Sequence, residues 1–279
     1  MSHIRVVADS ACDLPDAVLV EHGIGLVPLR IRFGGEELVD RSELSTKEFW
    51  VRCGSTEQLP ETSAPSPGAF QAAFESMASE GADGVVCVNL SSKLSATIEA
   101  ARQAARALDG TIPVRVVDSL SVTLGEGLVA LEAAQEAAKG SSLDDVAAAA
   151  QRAVDHMKVY GAIDTLENLK KGGRIGGAAA LLGSLLAIKP VIEVRDGVVE
   201  QESKQRTRVK SLNYLAEKVH QAGPMSRLAA FGADAPDMDQ FLGLLKGVTP
   251  NEPLFVGDIG PVIGTHCGPR AIGVAWLPA

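Results

Sequence analysis

Aromatic side chains make up only 4% of this 279-residue chain, too few to build stacking platforms for nucleic-acid bases. Positive charge is also short. Lys and Arg number 26 against 35 Asp and Glu, for a formal charge of -9, which argues against non-specific binding to nucleic acid or an anionic membrane. The four cysteines, Cys12, Cys53, Cys87 and Cys267, are scattered without a C-x-x-C pair, so neither a disulfide framework nor a structural zinc site is expected. The longest apolar run, Ala178–Ile188, is interrupted by Gly183 and Ser184 and is too short to span a bilayer. The start of the chain enters a strand at once and has no apolar signal segment. Three catalytic signatures are missing too: no G-x-S-x-G elbow, no G-x-x-x-x-G-K-[ST] loop, and no G-x-G-x-x-G after the first strand. The expectation is a soluble protein of a reducing compartment, the cytoplasm, without metal or cofactor.

What is present is an alternation of strands and helices. The stretch Gly84–Leu108 combines a β-branched run (Val85, Val86, Val88), a hydroxyl-rich turn (Ser91, Ser92, Ser95, Thr97) and an alanine-rich segment with Ile98, Ala101, Ala105 and Leu108 at helical spacing. A buried parallel strand feeding a helix N-terminus presents free N–H groups and a positive dipole end to an anion. Ser91 or Ser92 could instead be a plain N-cap. The strand Ile4–Ala8 ends in Asp9-Ser10 and the strand Val114–Val117 in Asp118-Ser119. In a doubly wound sheet such ends gather at the carboxyl edge. Asp9, Ser10, Ser95 and Asp118 therefore either converge on a ligand, or each Asp caps the helix after it.

Further expectations come from local pattern. Ile24–Phe33 reads as one strand, with Pro28 marking an edge or irregularity. Ser45 and Glu48 form a capping box. Glu61–Gly68 (ETSAPSPG) reads as irregular structure holding Thr62 and Ser63. Gly125–Lys139 and Leu143–Lys158 read as helices. Lys170, Lys171 and Arg174 are the densest basic cluster, set among Gly172, Gly173, Gly176 and Gly177, with an apolar helix and a strand beyond them. Arg195-Asp196-Gly197 is a hairpin turn, and Arg206 and Arg208 close its second strand. Val209–His220 and Asp237–Lys246 read as helices. Gly260–Arg270 reads as a loop that carries His266. The fold class expected is α/β, divided into an N-terminal unit 1–158 and a C-terminal unit 159–279.

Three signatures stand together in order: TSAPS at 62–66, SSKLSAT at 91–97 and GTHCGP at 264–269. With LKKGGRIGG at 169–177 and the VADS start, the chain resembles the DegV family, fatty-acid-binding proteins also called FakB, from Val6 to Trp276. The resemblance implies a two-domain fold, an N-terminal doubly wound, mostly parallel sheet plus a C-terminal α/β domain, with a long-chain fatty acid buried between them. It also implies that Thr62 and Ser95 hold the carboxylate and that His266 lies near it, with Ser63 and Thr265 beside them as ligand-binding residues. Arg174 and Arg206 match residues that dock a separate fatty acid kinase. That partner is similar to dihydroxyacetone kinases and converts the bound acid to an acyl phosphate, an intermediate for phospholipid synthesis. The resemblance leaves room for transient membrane contact. It implies that this chain is not itself an enzyme.

Energetics agree with such a ligand. A ~16-carbon chain, at roughly 0.8 kcal/mol per buried methylene, gains on the order of 10 kcal/mol gross, of which ordering and association take back several. The competing reading is a lipid or ester hydrolase using Ser95, His266 and Asp9 or Asp118.

Overall fold

A computed structural model describes residues 2–56, 58–181 and 188–279. The elements in chain order are β1 (Ile4–Asp9), α1 (Asp16–Glu21), β2 (Ile24–Val27), β3 (Arg30–Phe33), β4 (Glu36–Val39), α2 (Thr46–Gly54), β5 (Glu61–Ser63), α3 (Pro67–Ser79), β6 (Gly84–Asn89), α4 (Thr97–Ala107), β7 (Val114–Asp118), α5 (Leu124–Ala138) and α6 (Leu143–His156). They continue with β8 (Lys158–Ala162), α7 (Glu167–Lys171), a 3-10 helix at Gly176–Leu181, β9 (Lys189–Arg195), β10 (Val198–Gln205), α8 (Arg208–Gln221), β11 (Met225–Gly232), α9 (Met238–Leu244), β12 (Phe255–Asp258), α10 (Pro261–Cys267) and β13 (Ile272–Pro278).

Among the described residues these strands form three sheets. The first is parallel, in the order β2-β1-β6-β7. All six residues of β6 are buried, as its continuous apolar run requires when both faces are covered. On one face Phe70, Phe74 and Met77 of α3 and Ala101 and Ala104 of α4 pack against Val7, Val85 and Cys87. On the other lie α5 and α6. Helices on both faces make this the doubly wound sheet of the sequence analysis.

The second sheet, β10-β9-β8-β13-β11-β12, is mixed, parallel only at β11–β12 and antiparallel at its other pairs. Helices α8 and α9 cover one face through Leu212, Leu215, Val219 and Phe241. The opposite face shares a core with α5 and the parallel sheet, in which Val86 and Leu128 belong with Ile192 and Ala275. Helix α5 is therefore buried on nearly every side from Leu124 to Ala134.

In the third sheet, β4-β3-β5, the Gly34-Gly35 turn marks the return into β4, and β5 is the strand the sequence pattern does not announce. Ile24–Phe33 is two strands, not one. Pro28 lacks the N–H to continue the ladder, and the chain leaves the parallel sheet after Val27 to pair Arg30–Arg32 with Glu61–Ser63. Residues 61–63 are thus regular structure, and the prolines act only beyond them. Pro67 starts α3, with Ser66 capping Ala69 N–H at 3.2 Å.

Gly260–Arg270 is likewise mostly helix. Pro261 occupies the first helical turn, where its missing N–H costs nothing, and Gly268 at φ 75 ends the helix. Arg208 does not close β10 but opens α8, with Thr207 as N-cap, and Lys158 belongs to β8 rather than to the preceding helix. Of the apolar run 178–188, the described part through Leu181 is 3-10 helix, and 182–187 lie outside the described residues.

Candidate functional site: a polar-ended apolar cavity

One cavity of about 230 Å³ lies between the carboxyl edge of the parallel sheet and the face of the mixed sheet opposite α8 and α9. A single water needs only about 10–15 Å³, so this is a binding space and not a packing defect. Its walls are mostly aliphatic and include Leu29, Leu90, Val159, Ile192, Val262 and Ile263. Polar groups gather where Thr62, Ser95, Arg174 and His266 line the same space.

Each of those groups is placed by its element. Alternation along β5 turns Thr62 away from the solvent side that Glu61 and Ser63 share, and its hydroxyl meets His266 Nε2 at 3.0 Å. Ser63, at the rim, reaches Glu37 at 3.5 Å. His266 stands in the last turn of α10. Burial, with the nearby Arg174 charge adding to it, holds its imidazole down at about 4, so it is neutral at physiological pH. Among the described residues its Nδ1 has no partner. It lies against Gly172, where a Cβ would collide with it. Thr265 is buried and points back into its helix, donating to the Pro261 carbonyl at 2.9 Å. The Thr265 carbonyl accepts from Asn168 at 3.0 Å, which ties α10 to α7.

The serine turn is held from outside as well as from within. Ser95 and Thr97 share a hydrogen bond at 2.9 Å, and Thr97 N–H donates to Ser95 Oγ at 3.3 Å. The N-cap of α4 is Ala96, so neither Ser91 nor Ser92 caps the helix. Ser91 instead donates to the Gly197 carbonyl at 2.6 Å. Half-buried Arg174 donates from Nε to the Leu94 carbonyl at 3.1 Å and from Nη1 to the Gly172 carbonyl at 2.6 Å. The turn that carries Ser95 is thereby tied to the mixed-sheet side at two points. Arg206 is exposed and apart from the cavity, whereas Arg208 is engaged bidentately by Asp237 at 2.8 and 2.9 Å.

Asp9, Ser10 and Asp118 do not join this group. Asp9 accepts from Ala11 N–H, Leu90 N–H and Asn89, and Asp118 accepts from Ser92 and Leu120 N–H. Ser10 donates to Asp40 at 2.6 Å. Asp9 caps the short 3-10 turn Ser10–Cys12 that follows β1, whereas Asp118 braces the turns after β6 and β7 and caps no helix, since the N-cap of α5 is Thr123. A hydrolytic triad is therefore not assembled: among the described residues Ser95 bonds Thr97, His266 bonds Thr62, and no carboxylate bonds His266. Burial pushes the Cys267 thiol up to about 12, so it supplies no thiolate. Among the described residues no group of three acidic, His or Cys side chains is placed to hold a metal ion, and no helix is long and apolar enough to cross a membrane.

Two contacts of this site were not expected from the sequence: the clamp by Arg174 on Leu94 and the packing of Gly172 on His266. The second had a signal, since a glycine inside a basic helix end leaves room for a neighbour.

Residues 3–279 match the family model described as "Uncharacterised protein, DegV family". A DegV domain-containing protein of Streptomyces coelicolor is 36% identical over 276 residues, covering 98% of this chain and 97% of its own. Two solved structures share the fold over nearly their whole length. One is a DegV family protein from Thermus thermophilus described as fatty acid binding, with a TM-score of 0.90 and 33% identity over 99% of this chain and 100% of that one. The other is DegV from Bacillus subtilis, described as a fatty acid binding protein, with a TM-score of 0.86 and 30% identity over 100% of both chains. The match spans all three sheets, α10 and the whole of the cavity wall, and the chain belongs to the DegV family.

Proposed function

We propose that this chain binds a long-chain fatty acid in the cavity, with the carboxylate at Thr62, Ser95 and His266 and the tail along the aliphatic walls. The observation that carries this reading is the gathering of those three residues with Arg174 in one otherwise apolar space. Two hydroxyls, a neutral imidazole and one guanidinium suit a single carboxylate, and apolar walls suit an alkyl tail. The fatty-acid-binding descriptions of the Thermus and Bacillus proteins support it. In this reading Ser63 lies at the rim and Thr265 fixes the turn that presents His266. The ligand is held between two units, 1–158 and 159–279.

The finer step is presentation of the bound carboxylate to a separate dihydroxyacetone-kinase-like fatty acid kinase, which transfers a phosphoryl group to it. The family resemblance supports this, as does the exposure of Arg206, with Arg174 at the cavity as the second docking residue. Arg206→Ala is expected to keep the ligand and lower acyl phosphate formation with that kinase.

Mass spectrometry of the organic extract from purified, denatured protein tests the binding reading. A near-stoichiometric long-chain acid is expected. An extract that stays empty after incubation with fatty acids would overturn it.

A further inference from the structure

Across the mixed sheet the pairing registers set four cavity-lining residues in one row: Ile192 on β9, Gly161 on β8, Gly273 on β13 and Phe231 on β11. Two glycines side by side in a sheet interior leave a trough where apolar side chains would ordinarily pack, and they weaken both strands. The two positions differ. A Cβ on Gly273 would collide with the Phe231 ring, which lies over that strand and fills the space. A Cβ on Gly161 would meet nothing closer than Ile192 Cγ1 at 3.6 Å and the Ile272 carbonyl at 3.9 Å, which is ordinary contact. Gly161 is not among the residues with positive φ, so the backbone does not require glycine there. What its missing side chain leaves is cavity.

We propose that Gly161 and Phe231 set the length of acyl chain the cavity accepts, Gly161 by leaving the trough open and Phe231 by walling it off over Gly273. This rests on the fatty-acid reading above and adds to it the residues that select among chain lengths. A branched side chain at 161 stands in the path of the tail. A smaller one at 231 uncovers the strip over Gly273 and lengthens the path.

The test uses the full-length protein stripped of lipid, then loaded from an equimolar mixture of saturated acids running from lauric to arachidic. The bound acids are extracted and weighed by mass spectrometry. Gly161→Val is expected to shift the distribution toward shorter acids, with the wild-type favourite falling on the order of tenfold against its homologue two methylenes shorter. Phe231→Leu is expected to shift it toward longer ones. Gly161→Ala, whose single methyl meets only ordinary contacts, should move the same way as Gly161→Val by a smaller factor, and it serves where the valine variant does not fold. Folded variants at both positions with the wild-type distribution would overturn the proposal and leave fatty-acid binding standing. A wild-type protein that takes up no acid at all would overturn both.

Discussion

The hydroxyl of Thr62 and the Nε2 of His266 meet at 3.0 Å although 204 residues separate them. The bond joins β5, which is extended because it pairs with β3, to the last turn of α10. Neither segment is long enough to be stable alone. The polar end of the cavity thus depends on the tertiary fold, and both partners are small, neutral and oriented before a ligand arrives. That is the preorganisation a carboxylate site needs, since little ordering remains to oppose binding.

Thr62→Val tests that bond with almost no change of shape. The variant removes the hydroxyl and leaves His266 Nε2 without its partner, at a cost in stability of about 1 kcal/mol. A hydrogen bond to a charged group contributes about 1.5–3 kcal/mol, so affinity for a long-chain acid should fall roughly 10–100-fold. Displacement of a fluorescent fatty acid measures it. Wild-type affinity in the variant would remove Thr62 from the site.

His266 should report the ligand through its own titration. Burial and the Arg174 charge hold it at about 4, against an ordinary 6.5. The unfolded chain takes up this proton as pH falls through 6.5, whereas the folded protein takes it up only near 4. His266 therefore contributes stability that is fully present above pH 6.5 and lost as pH falls through 4. A carboxylate seated beside the ring favours its charged form and raises the midpoint. Ring-nitrogen NMR should show a midpoint near 4 in the empty protein and a higher one in the loaded protein. The same midpoint in both states would separate His266 from the carboxylate.

Gly172→Ala separates local propensity from site geometry. Gly172 has helical backbone angles, φ -75 and ψ -8, so alanine fits the backbone and gains up to about 1 kcal/mol of helix propensity. Its Cβ, however, would strike His266 Nδ1 and approach the Asn168 carbonyl at 3.1 Å. The expected outcome is a melting temperature close to wild type together with at least about a tenfold loss of fatty-acid affinity, roughly one to two kcal/mol in binding. Unchanged affinity would mean that the ring can move aside without consequence.

These contacts show what the sequence could and could not disclose. The parallel sheet was legible because β6 is buried on both faces and its apolar run is continuous. Thr62, Ser95 and His266 were legible as motif residues, and the structure gathers them on one cavity. Strand β5 was not legible, because its three residues are held by a partner some thirty positions away while nearby prolines announce a break. Helix α10 was hidden for a related reason: Pro261 and Gly268 read as breakers of a loop, yet they are the start and stop of a seven-residue helix. Asp9 and Asp118 stood open between ligand groups and caps, because a strand-end carboxylate can serve as either. Which way they turn is decided by backbone N–H groups of Ala11, Leu90, Ser92 and Leu120. Gly161 carries no local mark at all. Its meaning comes from the row of residues across four strands.

Glu126 in the first turn of α5, with Asp9 at the end of β1 and Asp13 just beyond it both nearby, should make stability fall as pH rises. Glu126 is 0% exposed, and among the described residues neither of its carboxylate oxygens has a hydrogen-bond partner. Burial, reinforced by Asp9 and Asp13, pushes it well above the usual carboxylate range. Burial likewise pushes Asp9 up to about 6 and Asp13 to about 8. Between the ordinary and the raised values the unfolded chain has released these protons and the folded protein has not. The stability they allow is fully present below about pH 4 and declines through pH 6 to 8. His266 acts in the opposite sense, but only in the window between 4 and 6.5, so above that window the acids dominate. Glu126→Gln keeps the shape and removes one of these protons. Urea unfolding should find the variant more stable than wild type at pH 8 by at least about 1 kcal/mol, with the gap closing toward about pH 4.5, where the folded protein holds the Glu126 proton and the unfolded chain begins to regain it. An equal pH slope in the two proteins would mean that the folded state ionises Glu126 as readily as water does, and that some unseen partner meets its charge.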